Sequence, residues 1–182
     1  HRIWYEGHWA SHCLIPLSRL VEWEIRRRAA LDLGKGVSQQ GAKVWVIGGL
    51  TVGGTGKTPV LIALGEWLRH QGVSVGVISR GYRGRVGKKA HIVSASDSAT
   101  DVGDEPLLIQ NQLDGPVVVC RDRGAALAAM VRQFDVDVVL SDDGLQHYSL
   151  PRDLEVVVLD GKRGLGNGRI IPAGPLREPA AR

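Results

Sequence analysis

The hydrophobic pattern changes period along this chain. Leu14, Leu17, Val21 and Ile25 recur at i, i+3, i+7 and i+11, with Leu20 beside them, the spacing of one apolar helical face. From residue 44, short unbroken runs of Val, Ile and Leu alternate with longer helical stretches. VWVIG (44–48), VSVGVIS (73–79), PVVVC (116–120), DVVLS (137–141) and LEVVVLD (154–160) read as strands, and AHIVS (90–94) as a shorter one. TPVLIALGEWLRHQG (58–72) predicts a helix with Val60, Leu64 and Trp67 on one face. EPLLIQNQL (105–113) predicts a helix with Pro106 in its first turn, and RGAALAAMVRQF (123–134) one capped by Asp122. Runs that are apolar on both faces of the pleat suit a parallel sheet covered on both sides. The pattern therefore predicts an α/β fold: an open, mostly parallel sheet with helices on both faces and right-handed crossovers, plus an N-terminal amphipathic helix. Residues 1–43 read as a separate N-terminal segment, 44–182 as one α/β domain, and the last twenty residues as loop or linker.

Composition narrows the class. The chain has 182 residues, 43% hydrophobic and 23% charged, enough for one domain with a real core. Much of its net charge of +4 is local, since residues 1–43 carry seven Lys/Arg against four Asp/Glu. No basic stripe crosses the rest, which argues against a nucleic-acid partner. Cys13 and Cys120 are far apart and outside any C-x-x-C spacing, so a reducing compartment is expected rather than a disulfide framework or zinc knuckle. His8, His12 and Cys13 have no second ligand cluster and read as solvated groups. The chain opens on His1 and closes after PAGPLREPAAR, so both ends read as cut, and no secretory signal is recognisable.

The N-terminal segment has two readings. Trp4, Tyr5, Trp9 and Trp23 crowd there ahead of EIRRRAA. A bilayer span needs roughly 20 apolar residues, and Arg19, Glu22 and Glu24 interrupt this one. Either the helix lies at an anionic lipid surface, with Trp anchors and a cationic end, or it packs on the domain.

The strongest chemical signal is LTVGGTGKTP (50–59). It nearly spells the phosphate-binding loop G-x-x-x-x-G-K-[ST], with Thr51 in place of the outermost glycine, and it stands between a strand and a helix as that loop requires. The predicted nucleotide-binding residues are Thr51, Val52, Gly53, Gly54, Thr55, Gly56, Lys57 and Thr58. Glycine backbone N–H groups and the helix start would cradle phosphates, Lys57 would reach the β- and γ-phosphates, and the Thr58 hydroxyl would bind Mg²⁺. The fold is thus P-loop NTPase-like, with a nucleotide and Mg²⁺ as expected ligands. A second Mg²⁺ element should be an acid ending an apolar strand. Asp142 and Asp143 of VVLSDDG are preferred over Asp160, which reads as a strand-to-turn cap. GDEP (103–106) reads as a helix cap, with Asp104 or Glu105 as a candidate to deprotonate an attacking hydroxyl. SRGYRGR (79–85) offers Arg80 and Tyr82 to a cleft or to solvent.

Together, IGGLTVGGTGKTP, ISRGYRG, VGDEP, SDDGLQHY and PAGPLREP, in that order after an aromatic N-terminus, resemble the tetraacyldisaccharide 4'-kinase (lipid A 4'-kinase) family over nearly the whole chain. The resemblance implies ATP-dependent phosphorylation of the 4'-hydroxyl of a lipid A disaccharide precursor at the cytoplasmic face of an inner membrane, attached peripherally or monotopically. It implies Asp104 as the catalytic acid–base group beside Lys57, and Asp142 and Asp143 as Mg²⁺ ligands. It places Gln146 and His147 near nucleotide and acceptor, and Arg177 and Glu178 at the cleft edge. Gly49 stands where that family often has Asn. The family also has a second lobe with a histidine paired to the catalytic acid, so about 130 to 150 further residues are expected beyond Arg182. The chain alone is then expected to bind ATP weakly and transfer phosphate poorly. No obligate protein partner is expected. The rival is a partner-regulated P-loop switch ATPase at the membrane surface, but its second lysine would stand where this chain has Val52.

Overall fold

Beta-branched runs become strands and the Ala- and Leu-rich stretches between them become helices. The computed structural model describes residues 2–6, 8–32 and 41–181; Lys35 of the basic segment lies outside them. In chain order the elements are α1 (Arg2–Tyr5), α2 (Ala10–Cys13), α3 (Ile15–Asp32), β1 (Lys43–Gly48), α4 (Lys57–His70), β2 (Val75–Ser79), β3 (His91–Ile92), α5 (Ala99–Val102), α6 (Asp104–Gln112), β4 (Val117–Val119), α7 (Arg123–Gln133), β5 (Val138–Asp142) and β6 (Leu154–Val157). Six strands among the described residues form one sheet in the order β3-β4-β2-β5-β1-β6. β1 runs parallel to β5 and β6, and β2 runs parallel to β4 and β5. The two-residue β3 is antiparallel at one edge, so the expected 90–94 strand is real but brief.

Helices cover both faces, as the pattern implied. On one face Leu61, Ile62 and Leu68 of α4 and Ile109 of α6 meet Val75, Val77, Val117 and Leu140. On the other, Ala126, Leu127 and Met130 of α7 meet Val46, Ile78, Val118 and Val139. Full burial of each large apolar side chain contributes about 1.5–3 kcal/mol. Asp122 caps α7 as expected, its Oδ1 accepting from Gly124 N at 2.9 Å and Ala125 N at 3.2 Å.

Three expectations change. The buried face of α4 is Leu61, Ile62, Gly65 and Leu68, whereas Val60 and Trp67 are exposed. Gly65 marks the closest approach: a Cβ there would lie 2.9 Å from Leu113 Cδ1 after α6 and 3.4 Å from Leu140 Cδ1 of β5. β6 stops at Val157 and is an edge strand with Leu154, Val157 and Leu159 exposed, instead of a run buried on both faces. The tail is irregular, but it is no linker, since Ile170, Ala173, Leu176 and Glu178 are buried. It straps onto the phosphate loop through Val52 N→Pro175 O at 2.8 Å and Arg177 N→Leu50 O at 2.7 Å.

The N-terminal helix packs on the domain along one side and leaves apolar side chains exposed on the other. Val21 and Ile25 of α3 pack against the core. Ser18, buried, donates to Ile170 O at 2.8 Å and accepts from Ala173 N at 3.0 Å. Leu17, Leu20 and Trp23 remain 51–64% exposed, and Trp9 of the preceding turn is exposed too. The predicted stripe is therefore split, with the Ser18 hydrogen bonds on the side that faces the protein. No helix among the described residues is long and apolar enough to cross a membrane.

Candidate active site

Parallel strands deliver the residues that follow them to one edge of the sheet. There a cavity of about 790 Å³ opens, lined from β1 by Gly53, Gly54 and Lys57, from β2 by Ser79, Arg80 and Tyr82, and from β5 by Asp142 and Asp143.

The phosphate loop explains its own departure from the motif. Gly53 (φ 109°) and Gly56 (φ 80°) occupy the left-handed region that side chains disfavour. Thr51 has no such backbone; it forms an isolated bridge with Leu176 and is buried. A glycine is needed where the loop curls, and residue 51 lies before that point. Gly56 begins α4 with no side-chain cap, leaving the first-turn N–H groups for an anion. Thr55 and Thr58 are buried behind the loop and Val52 is exposed; with Thr51 and Gly56, they do not line the cavity. Thr55 Oγ1 has no partner, and a Cβ on Gly49 would come within 3.0 Å of it.

The paired acids are differently held. Asp142 is buried; its Oδ2 accepts from Ser79 Oγ at 3.2 Å, while Oδ1 has no hydrogen-bond partner. Burial, with Glu105 adding to it, raises this carboxyl to about 6 against the pull of Arg123. Asp143 sits at φ 48° and receives Arg177 Nη1 at 2.8 and 3.1 Å, with Lys57 Nζ 3.7 Å away. An unpartnered, buried carboxylate oxygen beside a second carboxylate suits a hard cation such as Mg²⁺.

Arg123, absent from the sequence candidates, lies beneath these acids. It is buried, donates from Nη2 to Asp142 O, and leaves Nε and Nη1 without partners. Burial pulls its guanidinium below the ordinary value, with Asp142 and Asp143 acting against that. In the sequence it was indistinguishable from an ordinary residue at a helix start. Arg163 was missed too: it donates from Nε to Asp160 Oδ2 at 2.9 Å and from Nη2 to Gly54 O. Asp160 is the turn cap expected, accepting from Lys162 N and Arg163 N.

His147 lines the cavity as well. Its imidazole is lowered to about 4 by burial and then by Arg123 and Arg80, so it is neutral at pH 7. Gln146 and Tyr148 also line the cavity, and each donates to Glu178, at 2.7 and 3.1 Å. Glu178 is therefore a buried support behind the cavity wall, while Arg177 is on the wall. At GDEP the structure separates the two acids: Glu105 lines the cavity, and Asp104, exposed on the same first turn of α6, does not. The glycines of GYRG and VGDEP have a shared purpose invisible in sequence. A Cβ on Gly84 would lie 2.7 Å from Asp101 O and 2.9 Å from Gly103 N, so the two loops meet backbone to backbone. Arg85 N→Asp101 O at 2.8 Å fastens them.

Comparison with known proteins gives the family. The sequence model of the family described as tetraacyldisaccharide-1-P 4'-kinase matches residues 10–182. The chain is 51% identical over 179 residues to the tetraacyldisaccharide 4'-kinase of Alcanivorax borkumensis, covering 98% of this chain and 54% of that protein. It is 49% identical over 181 residues to that of Azotobacter vinelandii, with the same coverages. The crystal structure of LpxK from Aquifex aeolicus, described as an "apo" form in complex with ATP, superposes with a TM-score of 0.78 at 35% identity, over 93% of this chain and 55% of that one. The chain thus spans about half the length of the curated relatives it matches.

Proposed function

Because the chain belongs to the tetraacyldisaccharide-1-P 4'-kinase family, we propose that it supplies the ATP site for phosphorylating the 4'-hydroxyl of a tetraacylated disaccharide 1-phosphate. The observation that carries this reading is the convergence of the glycine loop, Lys57, the unpartnered Asp142 carboxylate and Arg177 in one cavity. A polyphosphate with its cation complements that mixture of charges.

In this reading the Gly53, Gly54 and Gly56 backbone and the start of α4 bind the phosphates. Lys57 turns from Asp143 to the γ-phosphate, where a fixed cation stabilises charge on the transferring group. Asp142 and Asp143 on the wall, with Thr58 behind the loop, would hold Mg²⁺, which when bound would draw charge from the phosphates. Arg123 neutralises the buried side of the acids, and Glu178 keeps Gln146 and Tyr148 turned toward the cavity. Arg80, Tyr82 and neutral His147 face the acceptor, and Asp104 takes the hydroxyl proton, with Glu105 as the carboxylate already at the wall. The exposed Leu17, Leu20 and Trp23 face of α3 rests on the cytoplasmic side of the inner membrane, where the acceptor is anchored.

The test is transfer of radiolabelled γ-phosphate to the lipid disaccharide by the complete reading-frame product, with Asp104→Asn and Glu105→Gln beside it. Asp104→Asn should lose most transfer and keep ATP binding. Selective loss in Glu105→Gln would move the base by one residue. ATP turnover raised by a protein partner and not by the lipid would favour the switch ATPase instead.

A further inference from the structure

Arg28 lines the active-site cavity although it belongs to α3, outside the α/β domain. Its position follows from helix geometry. Ser18, Val21, Ile25 and Arg28 fall at i, i+3, i+7 and i+10, which at about 100° per residue keeps them on one side of the helix. The first three anchor that side, Ser18 by two buried hydrogen bonds and Val21 and Ile25 by core packing. Arg28 continues the same side about 15 Å beyond Ser18, at 1.5 Å per residue, and one turn past Ile25, where it lines the cavity. Arg27 points elsewhere, over the Trp23 ring at 6.0 Å, and Arg26 pairs with Glu22 at 2.6 Å.

The charges in the cavity leave Arg28 a distinct task. Arg177 pairs with the Asp143 carboxylate and Lys57 Nζ lies 3.7 Å from it, Arg123 is buried and donates to Asp142 O, and Arg80 follows β2 on the wall beside Tyr82. Arg28 Nε touches Glu24 at 2.6 Å, but that carboxylate is shared with Arg27 at 2.8 Å, so the trio keeps a net positive charge. The acceptor named by the family carries a phosphate besides the hydroxyl that reacts. It is also a lipid, and α3 is the element whose opposite face is exposed and apolar. We propose that Arg28 binds the 1-phosphate of the lipid acceptor, making α3 part of the acceptor site as well as its lipid-facing wall. This rests on the kinase reading above.

The experiment measures kcat and KM for acceptors with and without the 1-phosphate, in the complete reading-frame product and its Arg28→Ala and Arg26→Ala variants. Arg28 is exposed, so its truncation leaves the α3 anchors intact. With the phosphorylated acceptor, Arg28→Ala should raise KM about tenfold to a hundredfold, the scale of one charge-assisted hydrogen bond. Its kcat and its KM for ATP should hardly change. With the acceptor lacking the 1-phosphate, wild type and Arg28→Ala should be equally poor. Arg26→Ala, the same charge change off the cavity, should resemble wild type. Equal effects of the two variants would reduce Arg28 to surface charge and overturn the proposal, as would a loss that persists without the 1-phosphate, or a raised KM for ATP. Wild-type protein inactive on both acceptors would overturn the kinase reading and this proposal together; an active wild type with an indifferent Arg28→Ala overturns this proposal alone.

Discussion

Replacing Asp142 by Asn should make the ligand-free protein more stable while disabling it. The carboxyl is buried, one oxygen has no partner, and its proton is held up to about pH 6 against an ordinary 3.8. A protonated carboxyl and an Asn amide are both neutral and similar in size, so Asp142→Asn approximates permanent protonation, with Oδ still available to the Ser79 hydroxyl. The attraction of Arg123 already opposes the shift, so the remainder is the net cost of ionising Asp142 in the folded state. At about 1.4 kcal/mol per pH unit, a gap of roughly two units corresponds to about 3 kcal/mol. Between pH 4 and 6 the folded chain binds a proton that the unfolded chain has released, so wild-type stability falls as pH rises through this window. The Asn variant lacks that loss. Urea unfolding without metal or nucleotide should therefore give nearly equal stabilities at pH 4, and a variant more stable by up to about 3 kcal/mol at pH 7.5. Mg-ATP should then raise the Tm of wild type more than that of the variant, because the cation loses one ionised carboxylate. A variant less stable at pH 7.5, or a difference independent of pH, would refute the reasoning.

Lys57→Ala in the complete product should lower phosphate transfer at least about a hundredfold, the scale for losing one such stabiliser; near-normal turnover would remove the phosphate-loop assignment. Gly84→Ala should destabilise by about 1–3 kcal/mol, since the added methyl meets backbone atoms that cannot rotate away; an unchanged urea midpoint would show that the two loops separate easily. Combined Leu17→Ser, Leu20→Ser and Trp23→Ser should weaken co-sedimentation with anionic vesicles with little effect on Tm, because all three are exposed. The residual binding should fall as salt rises, and undiminished sedimentation would leave α3 a packing role alone.

The fold class was legible in the chain because a strand buried on both faces has to be apolar throughout, and VWVIG, VSVGVIS, PVVVC and DVVLS are close to that. The phosphate loop was legible for a similar reason: only glycine tolerates the curl at Gly53 and Gly56, and a lysine must follow at the helix start. Such demands act within a few residues, so they mark the sequence directly. Contacts between distant segments leave no comparable mark. The buried face of α4 is Leu61, Ile62, Gly65 and Leu68, and of the predicted stripe only Leu64 packs against the core while Val60 and Trp67 are exposed. Arg123 and Arg28 looked like helix-end charges until the fold put one beneath Asp142 and the other on the cavity wall. Glu178 became a buried brace because Gln146 and Tyr148 arrive from β5 to meet it. Periodicity shows that a helix has an apolar side, but which side meets the protein depends on what the rest of the chain brings there, and on α3 that side carries Ser18, which donates to Ile170 O and accepts from Ala173 N, more than 150 positions away.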